Sequence, residues 1–156
     1  MEYGGGESAA IGALLHDAGE DAGGEGRIAD IRLRFGDAVA DIVEACTDTV
    51  ETPKPEWRER KEKYIAHVGS ASAEARLVSA ADKLYNARAI LRDCRRIGDQ
   101  LWSRFTGGKD GTLWYYDTLA RAFAAAGSNE LVEELDRTVS AIYREVGVDR
   151  PTAPPH

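Results

Sequence analysis

Leu14-Leu15-His16-Asp17-Ala18-Gly19-Glu20-Asp21 is an abrupt change of character in this chain. An apolar run containing Ala10, Ile11, Ala13, Leu14 and Leu15 leads directly into four ionisable residues. Read as helix, His16 and Glu20 stand four apart on one face, and Asp17 and Asp21 pair the same way one position round. An imidazole and up to three carboxylates then gather at one buried helix end. That is costly unless a cation or a hydrogen-bond network neutralises them. Neutral imidazole nitrogen and carboxylate oxygen are the usual ligands of Zn, Mn or Fe. A solvated acidic helix end is the competing reading of the same eight residues.

A second stretch adds weight to the metal. Leu77 to Arg88 is an apolar helical pattern broken by Asp82 and Asn86, again four apart and on one face. An aspartate inside an apolar stripe needs a partner, and a cation held by His16 and Asp17 would supply one.

Periodicity along the rest of the chain predicts an all-α fold. Glu7 or Ser8 starts the first helix, and Ala22-Gly23-Gly24 turns the chain. Ile28, Ile31, Leu33 and Phe35 mark a short amphipathic helix closed by Gly36. Asp37 is the expected N-cap of the next, whose face is Val39, Ile42, Val43 and Cys46. Pro53 and Pro55 bar helix until Glu56, and Trp57 to Val68 is a charged helix. Ser70-Ala71-Ser72 caps the helix of Asp82, which runs to about Arg96. A short helix over Asp99 to Phe105 follows, then a loop over Thr106 to Gly111 that lacks P-loop spacing. Leu113 opens a further helix ending at Gly127. Ser128 or Asn129 caps the last one, with Leu131, Leu135, Val139, Ile142 and Val146 as its buried stripe. No stretch alternates as a strand would. The expected organisation is one domain over residues 1–147 and a disordered tail over 148–156.

The 156 residues suffice for one domain with a real core. A net charge of −7 argues against a nucleic-acid surface but not against a phosphorylated small molecule, because a bound cation can override it. Cys46 and Cys94 lack metal-knuckle or redox spacing and read as free thiols. No signal peptide or membrane-length apolar run is visible, so a cytoplasmic protein is expected.

Leu14-Leu15-His16-Asp17-x-x-Glu20-Asp21, then Phe35-Gly36-x-x-Val39 with Cys46-Thr47-Asp48, then Ala81-Asp82-Lys83-Leu84-Tyr85-Asn86-x-Arg88 resemble the HD phosphohydrolase superfamily. Within it they look like the (p)ppGpp hydrolase domain of the RelA/SpoT type and its small single-domain relatives. The likeness runs from about Gly4 to about Ala126. It implies a helical bundle in which His16, Asp17 and Asp82 bind one Mn²⁺-like ion. That ion would polarise a phosphoryl oxygen and lower the pKa of a water. It implies that Glu20 and Asp21 work beside the metal, and that Asn86 contacts the nucleotide. A matching Glu-Arg-Lys run singles out Arg60, and after it Lys61, as groups touching a phosphate or a catalytic carboxylate. Arg88 matches a family position as well, with a structural salt bridge as the other reading. The reaction implied is removal of the 3′-pyrophosphate from (p)ppGpp, giving GDP or GTP.

In the family a first metal histidine stands on a helix before the His-Asp helix. This sequence begins Met1-Glu2-Tyr3-Gly4-Gly5-Gly6, and neither His67 nor His156 matches that position. A fragment, a mis-called start or a degenerate member is therefore expected, with weakened metal and substrate affinity. Three readings stay open. The first is a metal-dependent (p)ppGpp hydrolase or a hydrolase of another phosphorylated nucleotide. The second is a degenerate HD protein that binds a nucleotide or a partner without catalysis. The third is an α-bundle without ligand, which leaves His16, Asp17 and Asp82 unexplained.

Overall fold

The computed structural model describes residues 5–16, 18, 24–49, 51 and 53–152. Among these there is no strand, so the all-α expectation holds. The chain divides into two compact units, Met1–Ser79 and Ala80–His156.

The first unit opens with α1 (Glu7–Leu15), followed by α2 (Gly24–Phe35), α3 (Asp37–Cys46) and α4 (Trp57–Val68). The 25-residue α5 (Ala73–Ile97) begins in this unit, and Ser72 caps it by accepting from the Ala75 amide at 3.1 Å. α1 and α2 both pack on α3. The apolar spacing explains why: Val39, Ile42, Val43 and Cys46 are all buried. Ala9, Ile42, Cys46, Ala75 and Val78 form one core cluster, and Ile31, Val39, Ala40 and Val43 another. Contact between α1 and α3 is close because Gly12 has no side chain. A Cβ there would lie 2.5 Å from Ile42 Cγ2.

Three local expectations need correction. α2 buries Ile28 and Ile31, but Leu33 is 89% exposed and Phe35 47%. Leu33 lies two residues past Ile31, roughly 200° round the helix, so both cannot face α3. Gly36 takes φ +86° and precedes α3, while Asp37 is already helical and turns its carboxylate to Arg32 at 3.0 Å instead of capping. The loop expected over Thr106 to Gly111 is cut short, because helix begins at Gly108.

In the second unit α5 continues through a 3₁₀ turn (Gly98–Arg104) to α6 (Gly108–Ala126) and α7 (Glu130–Glu145). α6 packs on α7. Ile90, Leu113, Tyr116, Val139 and Ile142 converge, and Leu119, Phe123, Leu131 and Leu135 are fully buried. Asn129 caps α7, its side chain accepting from the Val132 amide at 2.9 Å.

Arg150, beyond α7, is tied to both α6 and α7. Its Nε donates to Asp117 Oδ1 at 2.7 Å, Nη2 to Asp136 Oδ1 at 2.6 Å and Nη1 to Ser140 Oγ at 2.6 Å. Asp117 is fully buried, and Arg121 Nε meets its other oxygen at 3.0 Å. A buried carboxylate facing two guanidiniums is the arrangement that tolerates desolvation. No helix among the described residues is long and apolar enough to cross a membrane.

Candidate functional site

His16 stands at the C-terminal end of α1, in helical conformation just past Leu15. Its Nδ1 lies 2.7 Å from the carbonyl oxygen of Ala13. A carbonyl can only accept, so Nδ1 carries a hydrogen and donates it, and in the neutral form of an imidazole so protonated the lone pair is on Nε2. Metal-ligating histidines are set up this way, with the second nitrogen donating to a backbone carbonyl. Asp17, Glu20 and Asp21, which the sequence groups with His16, lie outside the described residues.

Asp82 sits on α5 between the buried stripe, where Ala80, Leu84 and Ala87 lie, and the exposed side marked by Tyr85. Its carboxylate is held on both oxygens. Asn86 Nδ2 donates to Oδ1 at 3.0 Å across one helical turn, as the four-residue spacing requires. Lys83 Nζ meets Oδ2 at 2.7 Å, and the two side chains are only 16% and 18% exposed. So Asn86, expected at a nucleotide, is here a partner of Asp82.

Arg60 and Lys61 converge on one carboxylate, that of Asp48, with Lys61 Nζ 2.8 Å away and all three side chains mostly covered. Arg60 Nε also donates to the Pro55 carbonyl at 3.1 Å. Asp48 is the residue that the sequence reading left without a role. The signal for it was the Thr47-Asp48 pair at the end of α3, thirteen residues before Lys61. Arg88 makes the salt bridge that was its alternative reading, to Glu134 Oε1 at 3.1 Å. Arg137 and Arg88 together hold the Glu134 carboxyl below its ordinary range.

A cavity of about 710 Å³ opens in the first unit between α2 and the chain leaving α3, with Ile28, Arg32, Leu33, Glu44, Asp48 and Thr49 among its walls. Of the sequence-derived site residues that are described, His16, Arg60, Asp82, Asn86 and Arg88, none lines it. Among the described residues no three His, Cys, Asp or Glu side chains gather as a metal-holding group. Taken singly, the donor types suit a divalent transition metal: His16 offers an imidazole and Asp82 a carboxylate.

Known proteins resemble this chain along most of its length. The family model described as "HD domain" matches residues 1–113. The guanosine-3′,5′-bis(diphosphate) 3′-pyrophosphohydrolase MESH1 of Xenopus tropicalis is 43% identical over 58% of this chain and 46% of its own. The mouse (Mus musculus) protein of the same name is 34% identical over 87% of this chain and 67% of its own. A crystal structure of lmo0812 from Listeria monocytogenes EGD-e superposes with a TM-score of 0.77 at 34% identity, covering 90% of this chain and 91% of that one. Against the Xenopus relative, the chain spans about half the length of the curated protein it matches. With a domain match across most of the sequence and a solved structure of like extent, the chain belongs to the HD-domain family.

Proposed function

We propose that this chain is a metal-dependent phosphohydrolase that removes the 3′-pyrophosphate from (p)ppGpp, giving GDP or GTP. The observation that carries the reading is the 34–43% identity to proteins named as hydrolases of that nucleotide. His16, Asp17 and Asp82 would hold a divalent ion, Mn²⁺ by the family resemblance. When bound, such an ion supplies Lewis acidity toward a phosphoryl oxygen and makes water a nucleophile near neutral pH.

The chain's own residues then have definable tasks. In the hydrolysis a water oxygen bonds to the phosphorus attached to O3′, the bond from that phosphorus to O3′ breaks, and O3′ takes up a proton. Of Glu20 and Asp21, one carboxylate takes the proton of the attacking water and the other supports it or serves the leaving oxygen. Asn86 offers amide donors and an acceptor without adding charge, which suits contact with a guanine nucleotide. Its bond to Asp82 also lets it orient that carboxylate. Arg60 and Arg88 are cations available to phosphate, each in exchange for an acidic partner, Asp48 and Glu134. The reading places the protein in a reducing cytoplasm, consistent with Cys46 and Cys94 being buried thiols and not a disulfide.

The test is incubation of this chain with ppGpp, with and without Mn²⁺, following release of GDP and pyrophosphate. Mn²⁺-dependent release is expected. Glu20→Gln should lower turnover by about 100-fold or more while keeping the metal content. Binding of ppGpp without release at any Mn²⁺ concentration would overturn the hydrolase reading in favour of a non-catalytic nucleotide-binding protein.

A further inference from the structure

We infer that Lys83 is the counter-charge that competes with the divalent ion for Asp82, and so sets how tightly this chain holds its metal. The inference rests on the reading above that Asp82 is a metal ligand. Its starting point is an unusual pairing. Successive residues on an α-helix point about 100° apart, and adjacent side chains do not normally meet. Asn86, one turn on, reaches Asp82 as helix geometry directs. Lys83 does not have that advantage, yet its Nζ folds back to within 2.7 Å of Oδ2. The contact is well covered, with Lys83 16% and Asp82 18% exposed. A largely covered carboxylate on a helix whose positions Leu84 and Ala87 are buried is costly without neutralising charge, and Lys83 contributes one.

These bonds to Asp82, from Asn86 and from Lys83, differ in kind. The amide of Asn86 is neutral and can stay on Oδ1 while a cation binds the carboxylate. The ammonium of Lys83 cannot share Oδ2 with a divalent ion at close range without strong repulsion. Lysine has a flexible four-carbon stem and a point charge with no fixed geometry, so it can swing away and leave Asp82 in place. Asn86 is thus the positioning residue, and Lys83 the exchangeable one. Metal affinity is reduced by whatever the Lys83–Asp82 pair is worth.

The test is calorimetric titration of the full chain with Mn²⁺ alone, beside circular dichroism to establish folding of each variant. Lys83→Met keeps the stem and removes the charge, and it should tighten Mn²⁺ binding roughly two- to fivefold, the upper part of the range measured for single ion pairs. Lys83→Arg keeps the charge and should stay within about twofold of the parent chain. Asn86→Ala should move the other way and weaken binding. Unchanged or weaker Mn²⁺ binding by Lys83→Met, or equal tightening by Lys83→Arg, overturns the inference. Asp82→Asn separates the two levels. If it binds Mn²⁺ as the parent does, Asp82 is not a ligand and the metal reading falls together with the inference. If it loses Mn²⁺ while Lys83→Met changes nothing, the metal reading stands and only the role of Lys83 is wrong.

Discussion

Glu134 accepts from Arg137 at 2.8 Å and from Arg88 at 3.1 Å. These guanidiniums lower its carboxyl pKa in the folded chain, whereas the unfolded chain returns it to its ordinary value. A depressed folded pKa stabilises the fold above the unfolded pKa, and the contribution disappears as pH falls through the folded one. Asp99 shifts the same way, held down by Lys109 and by the Trp102 indole N–H. The melting temperature should therefore drop on acidification below about pH 4.5, the ordinary value for a glutamate. Arg88→Ala should raise the Glu134 midpoint in a carboxyl NMR titration without perturbing Asp99. An unmoved Glu134 midpoint would mean that Arg137 alone sets it. This pair also marks a limit of sequence reading. Arg88 was identified by its position in a motif, but its partner lies 46 residues away. No local pattern encodes such a distance. Asp82 and Asn86 were legible because one helical turn connects them. Lys83 was not, because an adjacent-residue contact breaks the periodic rule that sequence reading relies on.

At the level of helices, α1 and α3 meet through the smallest side chain available. Gly12→Ala would gain about 1 kcal/mol of helix propensity. Against that, its Cβ would sit 2.5 Å from Ile42 Cγ2 and 3.0 Å from Ile42 Cβ, both part of a packed core. Overpacking of this kind costs about 1–3 kcal/mol, so sterics should win and the variant should be destabilised in urea melts. Combining it with Ile42→Ala, which removes the clashing methyl, should cost less than the two single changes summed. Strict additivity would show that the helices move apart freely. Periodicity found the face of α3 because four buried residues repeat at helical spacing. It overreached on α2, where Leu33 is apolar but points away from α3's side of the helix. It also stopped short at α6. The glycines of 107–111 read as a loop, yet helix begins at Gly108. Thr112 Oγ1 donates to the Gly108 carbonyl at 2.6 Å, and Thr112 and Leu113 are buried. Tertiary packing outweighs the glycine penalty there.

Across the molecule, charge is distributed unevenly. The stretch through Ser79 carries sixteen Asp and Glu against nine Lys and Arg, whereas the remainder carries eleven of each. The whole net charge of −7 thus belongs to the first unit. Self-repulsion of that size is screened by salt, since the Debye length falls to about 10 Å at 0.1 M. Hydrogen exchange measured at about 20 mM and about 300 mM NaCl should show added protection in α2, α3 and α4 at the higher salt. α6 and α7 should change little. Equal changes in both units would contradict this account. Composition revealed the acidity, but where the units divide required the fold. The second unit has its own concentrated electrostatic feature in Arg150, whose guanidinium bonds to Asp117 on α6 and to Asp136 and Ser140 on α7. In genetic terms, missense alleles two codons apart are not equivalent. A Thr152→Ala allele would spare these bonds. An Arg150→Ala allele would remove them all, leaving a fully buried aspartate with one guanidinium fewer. The first allele should be silent in protein abundance and the second should not.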